Sequence, residues 1–512
     1  MKRLPIGISS FKEIITENYV YVDKTEFICK LKELGKYYFL SRPRRFGKTL
    51  FVDTLREVFE GNKELFKGLY IYGRWDWSRS YPVIHISFAE GVVRSLEELN
   101  QKIYEILDNN QKRLGISCEY KSFSGCFGEL IEKSVVKYKN RAVILIDEYD
   151  KPILDNITDP ELAQELREGL KSLYSVIKGQ DANIEFVFMT GVSKFSKVSI
   201  FSGLNNLEDI SVDQRYNAIC GYREEDILTY FQDYLAGKDI KDIRKWYDGY
   251  SWDGISRVYN PFSVLNYFAK GEFRNYWFES GTPGFLIKLL KERNYYIPDL
   301  ENLEVGESLI GSFDLDFIEP ENILFQAGYL TIVGKRWLGN RLFYRLRYPN
   351  LEVKASLTDY LLKAYSFDLK LKEQNQSTLY QALVAKDLLK IKEIMQSHFS
   401  SIPYDWYRKN RINEYEGYYA SVFYSYFASL GLDIVVEDSS SKGKVDMTVL
   451  MEDGIFIFEF KVLDKEPGKA LAQLKARGYA DKYKSKNLPL YLIGIEFDKE
   501  DKNIKEFQWE KI

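Results

Sequence analysis

Four short, almost uninterrupted apolar segments alternate with amphipathic helical stretches between Tyr37 and Ser211, and this pattern restricts the fold more than any other feature. The segments read YYFLS, PVIHISF, AVILIDEYD and IEFVFMTG in chain order. Apolar strands separated by helices are typical of a parallel sheet that is buried on both faces. Residues 1–219 are therefore predicted to form a three-layer α/β/α domain.

The first apolar segment is followed by RPRRFGKT, in which Gly47, Lys48 and Thr49 lead into a helical pattern. In a phosphate loop the lysine reaches the β and γ phosphates, the hydroxyl ligates Mg²⁺, and backbone amides face the anion. The usual motif, GxxxxGK[ST], has glycine where this chain has Arg42, but nearby arginines offer compensating charge. An ATP site with Mg²⁺ is therefore predicted. Its nucleotide-binding residues are Arg44, Arg45, Phe46, Gly47, Lys48, Thr49 and Leu50.

Two carboxylates end the third apolar segment, where an acid without a partner is energetically costly. Asp147 is predicted to hold the magnesium through water, and Glu148 to activate the attacking water. The alternative is a strand that emerges into solvent with helix-capping acids. The spacing favours a nucleotide site, because the loop, these acids and the polar stretch from Thr190 to Ser193 all follow strand ends of one sheet.

A second group of reactive residues lies in GKVDMTVLMEDGIFIFEFKV. A hairpin that turns at Asp453 places Asp446 beside Glu459. Side chains alternate along a strand, so Lys461 points to the same face as Glu459. These oxygen ligands suit Mg²⁺ or Mn²⁺, which would polarise a phosphate while the lysine orients water or stabilises charge. The alternative is an ordinary same-face ion pair on an exposed strand.

Several motifs together resemble one bacterial family. SRPRRFGKTL, LIDEYDKPI, TGVSKFSKVSIFSGLNNLEDIS and YDGYSWDG followed by VYNPFSVLNYF look like the AAA-ATPase-like proteins whose carboxyl end carries a nuclease domain of the PD-(D/E)XK superfamily. The resemblance covers nearly the whole chain and makes RPRRFGKT a normal form of the P-loop. It implies that Thr190 or Ser193 senses the γ phosphate, and it does not decide between them.

The resemblance also implies further residues of the second site. Glu416, on the preceding helix, is implied to be a metal ligand together with Asp446 and Glu459. The helix after the hairpin is implied to support the site and to meet the DNA backbone. Its nucleic-acid-binding residues are Gln473, Lys475, Arg477 and Tyr479. Residues 461–486 carry eight Lys or Arg against three Asp or Glu, a local excess in a chain of net charge −3.

Three domains are predicted in total. Residues 1–219 form the ATPase domain, and residues 220–400 form a mainly helical lid and linker, in which a helix end and a hairpin between Ile323 and Asn350 suit a winged helix. Residues 401–512 read as α, β, β, β, α, β and form the nuclease-like domain.

Composition restricts location and redox chemistry. No apolar run reaches the roughly 20 residues that a membrane span needs, so a cytoplasmic protein without a membrane partner is expected. The four cysteines form no CxxC pair and are expected to be reduced. DNA is the expected partner, while self-association and any protein partner stay open.

These features predict an ATP-binding and ATP-hydrolysing protein coupled to a metal-dependent DNA nuclease. The alternative is a nucleotide-dependent switch, or a DNA-binding ATPase, whose carboxyl-terminal domain binds without cutting. Loss of Mg²⁺-dependent cleavage on Glu459→Ala or Lys461→Ala would distinguish the two.

Overall fold

The computed structural model describes residues 1–194, 206–278, 284–311, 318–366, 368–401, 416–440, 443–463 and 469–512. The chain divides into two compact units: Met1–Gly281 with Glu304–Asn350, and Thr282–Leu303 with Leu351–Ile512. The predicted middle range, 220–400, is shared between them, and the three-domain division stays a prediction. In the ranges given above, no helix is both long and apolar enough to cross a membrane.

A parallel sheet forms the centre of the first unit. Its strands are β1 (Tyr37–Ser41), β2 (Val83–Ser87), β3 (Ala142–Asp147), β4 (Ile184–Gly191) and β5 (Glu208–Asp209). Their order is β2-β3-β4-β1-β5, and all neighbours run parallel. Every residue of β1 and β3 is buried, as expected for strands covered on both faces. The predicted parallel sheet is confirmed.

Among the described residues, seven α-helices precede or connect these strands. They are α1 (Phe11–Thr16), α2 (Thr25–Leu34), α3 (Lys48–Phe59), α4 (Leu96–Leu114), α5 (Phe123–Tyr138), α6 (Lys151–Leu154) and α7 (Pro160–Gly179). Helix α3 packs on β2, β3 and β4, whereas α4 packs on β2 and α5 on β3. The side chains of Ser95, Ser122 and Asp159 cap α4, α5 and α7 by accepting amide hydrogen bonds. The α/β class of this region is therefore confirmed.

The middle of the chain is mainly helical and contains a hairpin. Its helices are α8 (Glu224–Tyr230), α9 (Gln232–Leu235), α10 (Ile240–Tyr247), α11 (Pro261–Lys270), α12 (Gly284–Glu292, in the second unit), α13 (Glu307–Gly311) and α14 (Pro320–Gln326). Its strands are β6 (Leu303–Gly306), β7 (Thr331–Leu338) and β8 (Arg341–Arg347). Strands β7 and β8 are antiparallel, and the sheet order is β6-β8-β7. The predicted helix followed by a hairpin is present.

The second unit is built on a mixed sheet. Its remaining helices are α15 (Leu351–Tyr365), α16 (Leu369–Ala385), α17 (Leu388–Ser400), α18 (Glu416–Ser429) and α19 (Lys469–Arg477). Its strands are β9 (Asp433–Ser440), β10 (Gly443–Met451), β11 (Gly454–Leu463), β12 (Leu490–Asp498) and β13 (Asn503–Lys511), in the order β13-β12-β11-β10-β9. Only β11 and β12 are parallel, and α19 packs on both. The predicted α/β domain is confirmed, with β13 as an additional strand.

Two of the four cysteines are joined. Cys118 and Cys126 form a disulfide, with their Cα atoms 5.2 Å apart. The expectation that all cysteines are reduced is wrong for this pair. Helix α5 begins at Phe123 and brings Cys126 beside the loop that carries Cys118, a proximity that no CxxC pattern signals. Cys29 and Cys220 are free.

Candidate functional site

The loop between β1 and α3 is anchored by its first residue. Arg42 is fully buried, and its guanidinium donates hydrogen bonds to three backbone carbonyls, those of Ser41 (2.8 Å), Ser211 (2.7 Å) and Tyr216 (3.1 Å). Its guanidinium carbon lies 3.9 Å from the centre of the Trp252 ring. The arginine that replaces the usual glycine therefore fixes the loop to the protein core.

The backbone adopts positive φ angles at this loop and directly after β3. Gly47 precedes α3 with φ of 91°, in the left-handed region that glycine adopts without cost. Arg45 and Glu148 also have positive φ, 66° and 51°. A side chain in this conformation costs about 1–2 kcal/mol, and such residues are common at ligand sites. Both side chains line one cavity.

That cavity has a volume of about 550 Å³, within the range of roughly 300–1,000 Å³ typical of small-molecule sites. The seven predicted loop residues, from Arg44 to Leu50, line it, and so does Glu148, whereas Asp147 is not among the described residues of its wall. Sequence reasoning missed an apolar part of the wall. Its residues include Pro5, Ile8, Val20, Val22, Phe262 and Leu265. They lie outside the strand–loop–helix motif, and no local pattern marks them.

Lys48 is folded back onto its own loop. Its Nζ donates hydrogen bonds to the carbonyl oxygens of Arg42 (2.9 Å) and Pro43 (3.0 Å). Burial lowers the pKa of Lys48, whereas Asp147 and Glu148 oppose that change. A buried ammonium group that holds only neutral carbonyls is well suited to exchange them for phosphate oxygens.

Asp147 is the most buried acid of this site. Burial raises its pKa to about 6, although Thr49 and Lys48 favour the charged form. One carboxylate oxygen, Oδ1, accepts a hydrogen bond from the amide of Glu148 (3.1 Å), whereas Oδ2 has no hydrogen-bond partner among the described residues. An unpaired buried carboxylate oxygen is costly. Beside a threonine hydroxyl, it has the donor chemistry that fits a hydrated Mg²⁺.

The two residues predicted to sense the γ phosphate are engaged elsewhere. Thr190 Oγ1 donates to the carbonyl of Leu40 (2.8 Å), and the amide and hydroxyl of Ser193 donate to Asp150 (2.6 and 2.7 Å). Neither is among the described residues that line the cavity, whereas Val192 and Asp150 are. The sensing role stays a prediction, and Asp150 is a buried acid that sequence reasoning missed.

In the second unit, strands β10 and β11 form the expected hairpin. The antiparallel register pairs Met447 with Phe458, which brings the preceding Asp446 next to Glu459. The amide of Phe460 donates a hydrogen bond to Asp446 Oδ2 (2.7 Å). The side-chain alternation that was read from the sequence therefore brings the two carboxylates to one place.

Three further side chains complete this carboxylate cluster. Lys461 Nζ lies 3.5 Å from Glu459 Oε1 and 3.9 Å from Glu416 Oε1. Gln473, from α19, also donates a hydrogen bond to Glu459 Oε1. Glu416 begins α18, so the cluster joins two strands and two helices. These are the residues that sequence reasoning selected for metal binding and phosphate chemistry, apart from Gln473, which had been assigned to nucleic acid.

The carboxylate cluster contains more acidic groups than basic groups. Burial, and then the neighbouring Asp446, raises the pKa of Glu459 to about 7, and Lys461 opposes the rise. Burial also raises the pKa of Asp446 to about 6. Glu459 is 2% exposed, and its Oε2 has no hydrogen-bond partner among the described residues. A divalent cation would neutralise this charge and use the unpaired oxygen, so the donor set fits one.

The carboxylates are not arranged around a common position for a metal ion. Across the part of the chain that the structure describes, no group of three or more His, Cys, Asp or Glu side chains is assembled to hold a metal ion. Lys461 is instead the cationic partner of both glutamates. Metal binding by this set therefore requires the side chains to turn towards the ion.

The predicted nucleic-acid-binding residues divide into two groups. Lys475 and Arg477 are exposed, although Lys475 pairs with Glu510. Tyr479 is only 1% exposed, and its hydroxyl accepts a hydrogen bond from Arg477 (3.0 Å). Its ring packs in the core behind α19 and is unavailable for stacking on a base. The family resemblance implied a nucleic-acid contact for Tyr479, but α19 ends at Arg477 and the chain turns at Gly478, which buries the ring.

Comparison with known proteins gives two family matches and one relative. The model of a family described as "Predicted AAA-ATPase" matches residues 5–201. The model of the "PD-(D/E)XK nuclease superfamily" matches residues 414–507. A protein of Azotobacter chroococcum mcd 1, described as "Uncharacterized protein in vnfD 5'region", is 52% identical over 513 residues, which cover 100% of this chain and 99% of the relative.

Proposed function

Because the chain belongs to the family of AAA-ATPase-like proteins with a carboxyl-terminal PD-(D/E)XK nuclease-superfamily domain, we propose that it hydrolyses ATP and cuts DNA with a metal-dependent site. The observation that carries the nuclease half is the pair of buried Glu459 and partly buried Asp446, with raised pKa values and Lys461 beside them. Clusters of this kind, in which burial and like charge perturb acids, are typical of functional sites.

The proposed nuclease reaction is attack of water on a phosphodiester of DNA. Lys461 Nζ donates hydrogen bonds to the attacking water or to the phosphate oxygen on which charge develops. Gln473 holds the Glu459 carboxylate in place through its hydrogen bond. Mg²⁺ or Mn²⁺ held by Asp446, Glu459 and Glu416 would supply Lewis-acid stabilisation of the same charge.

In the proposed ATP site, each residue has a separate role. Lys48 exchanges the two backbone carbonyls that it now binds for the β and γ phosphates. Thr49 and Asp147 would hold the magnesium of the nucleotide. Glu148, which lines the cavity, orients the attacking water. The amides from Gly47 onward face the phosphates at the start of α3.

Cleavage assays on the full-length protein test the proposal. Supercoiled, linear duplex and single-stranded DNA are incubated with Mg²⁺, Mn²⁺ or a chelator, each with ATP, ADP or no nucleotide. We expect cleavage by the wild type only with a divalent ion, and at least about a 100-fold loss on Glu459→Ala or Lys461→Ala, as for removal of a transition-state stabilising group. Glu452→Gln, at the exposed turn of the same hairpin, is the matched control.

Two outcomes decide between the proposals. Cleavage that depends on Lys48 supports coupling between nucleotide and nuclease, whereas cleavage unchanged by Lys48→Ala removes coupling and leaves the nuclease. Absence of cleavage under every condition, with DNA binding that changes between ATP and ADP, favours the nucleotide switch whose second unit binds DNA without cutting. The present pairing of Lys461 with both glutamates is the observation that favours this second function.

A further inference from the structure

The β7–β8 hairpin carries positive charge that neither proposed site uses. Residues 331–347 contain five Lys or Arg and no Asp or Glu, in a chain of net charge −3. The basic residues are Lys335, Arg336, Arg341, Arg345 and Arg347. The flanking acids nearest in sequence are Glu321 and Glu352. A strand pair with such one-sided composition is suited to an anionic partner.

Four of these cations share one face of the hairpin. Along β8, the arginines alternate with Leu342, Tyr344 and Leu346, which are buried or partly buried. Arg336 of β7 lies opposite Phe343 and therefore on the same side as the arginines of β8. This arginine face consists of Arg336, Arg341, Arg345 and Arg347. At about 3.4 Å per residue it extends roughly 20 Å along the strand.

Much of the charge on the arginine face has no counter-charge. Arg336 pairs with Glu304 at 2.8 Å, but both side chains are exposed, and such a pair contributes little. Arg341 and Arg345 form no ion pair with any residue that the structure describes. Like charges placed along one strand repel one another, so binding an anion there is favourable.

An exposed aromatic side chain lies at the tip of the same hairpin. Trp337 is 67% exposed, and the adjacent Leu338 is 46% exposed. The loop that packs against Gly334 adds Ile255, which is also 67% exposed. One exposed apolar side chain is ordinary. The register pairs Trp337 with Leu342, so the tryptophan ring lies on the opposite face of the hairpin from the arginines, and a nucleic acid bound to the arginine face does not stack on it.

The base of the hairpin is held in a fixed position. The hydroxyl of Thr331 accepts a hydrogen bond from the Ser251 amide (2.6 Å) and donates one to the Ser251 carbonyl (3.0 Å). The amide of Ile332 donates to the same carbonyl (3.2 Å). A rigid base presents the arginines in one arrangement, which reduces the entropy that is lost when a ligand binds.

We propose that the β7–β8 hairpin is a nucleic-acid-binding element of the first unit. The arginine face contacts the phosphate backbone. An anionic membrane is disfavoured as the partner, because the arginines and the exposed Trp337 lie on opposite faces of the hairpin and do not meet one surface together. The proposal is independent of whether the second unit cuts DNA.

Binding of labelled oligonucleotides to the full-length protein tests this element. Fluorescence anisotropy is measured with a 20-nucleotide single strand and a 20-base-pair duplex in chelator, so that cleavage is not the readout. The test variant is Arg341→Glu with Arg345→Glu. The control is Lys12→Glu with Lys178→Glu, which changes net charge equally at exposed positions of α1 and α7. The binding constant is measured at several salt concentrations.

We expect the hairpin variant to bind at least about tenfold more weakly and to lose one to two units from the slope of log K against log salt, because each phosphate contact contributes about 0.7–0.9. The control should stay within about threefold of the wild type. Trp337→Ala should likewise stay within about threefold of the wild type, because its ring lies on the opposite face from the arginines. Equal losses in test and control, no nucleic-acid binding by the wild type, or hairpin-dependent binding to phosphatidylserine vesicles alone would overturn the proposal.

Discussion

Glu459 offers the sharpest test of the carboxylate cluster, because its pKa makes stability depend on pH. Burial and Asp446 raise that pKa from 4.5 to about 7. A folded-state pKa above the unfolded value means that the folded protein binds the proton more tightly. The ionised carboxylate therefore weakens the fold above about pH 7, and the effect disappears as the pH falls towards 4.5. Glu459→Gln removes the charge and keeps an acceptor for Gln473.

The size of the effect follows from the pKa. A rise of about 2.5 at 1.36 kcal/mol for each pH unit gives about 3 kcal/mol at pH 8. At pH 5 most of the folded-state carboxyl is already protonated, and the same relation gives less than about 1 kcal/mol. We therefore expect metal-free Glu459→Gln to be more stable than the wild type by about 3 kcal/mol at pH 8, with most of the gain lost at pH 5.

Hydrogen exchange on the full-length protein measures this difference locally. Peptides from residues 443–463 report the free energy of opening of β10 and β11, after correction for the intrinsic exchange rate at each pH. Glu452→Gln on the same hairpin should show no such gain. Saturating Mg²⁺ should protect the wild type, by about 2.7 kcal/mol at 100 times the dissociation constant, and leave Glu459→Gln unprotected. A gain of equal size at pH 5 and pH 8, or none at pH 8, would refute the electrostatic reasoning.

Three further predictions concern the first unit. Arg42→Gly restores the usual loop glycine, yet it should lower the free energy of unfolding by more than about 3 kcal/mol, because the buried carbonyls of Ser211 and Tyr216 lose their donor. Thermal unfolding measures this change, and a variant as stable as the wild type would contradict it. Asp147→Asn should weaken binding of Mg²⁺–ATP at least about tenfold and of metal-free ATP little, as measured by titration calorimetry. Cys118→Ser should destabilise the oxidised protein by about 2 kcal/mol, the value for a short closed loop, and should have no effect in reductant.

Local patterns were enough to predict four of the five strands in the sheet of the first unit, without β5, and the hairpin of the second unit. Continuous apolar runs identify β1 and β3, because a strand buried on both faces has no polar side. The position of Asp446 beside Glu459 follows from a turn and from the two-residue alternation of strands, which together fix the register. Both depend on residues near one another in sequence, and this explains why sequence reasoning succeeded there.

Other features depend on contacts between distant segments and left no local signal. The apolar wall of the cavity comes from residues before the first strand and from α11, such as Val20 and Leu265. Tyr479 follows a basic helix and looks accessible, but the chain turns at Gly478 and buries it. The disulfide of Cys118 likewise depends on where α5 begins. Tertiary packing decides each of these outcomes, and the periodicity of the sequence alone does not predict that packing.

The replacement of glycine by Arg42 changes how the phosphate loop can respond to a nucleotide. Moving this residue would break three hydrogen bonds to buried carbonyls and its stacking on Trp252, so the start of the loop is fixed. Lys48 Nζ is hydrogen-bonded to two backbone carbonyls, and Arg45 is in a strained conformation. Phosphate binding is therefore expected to move the later part of the loop, where the side chain of Lys48 must turn. Trp252 follows Ser251, which holds the β7–β8 hairpin through Thr331, so the fixed half of the loop and the base of the hairpin are connected through two adjacent residues. We expect any effect of the nucleotide on the hairpin to use this connection.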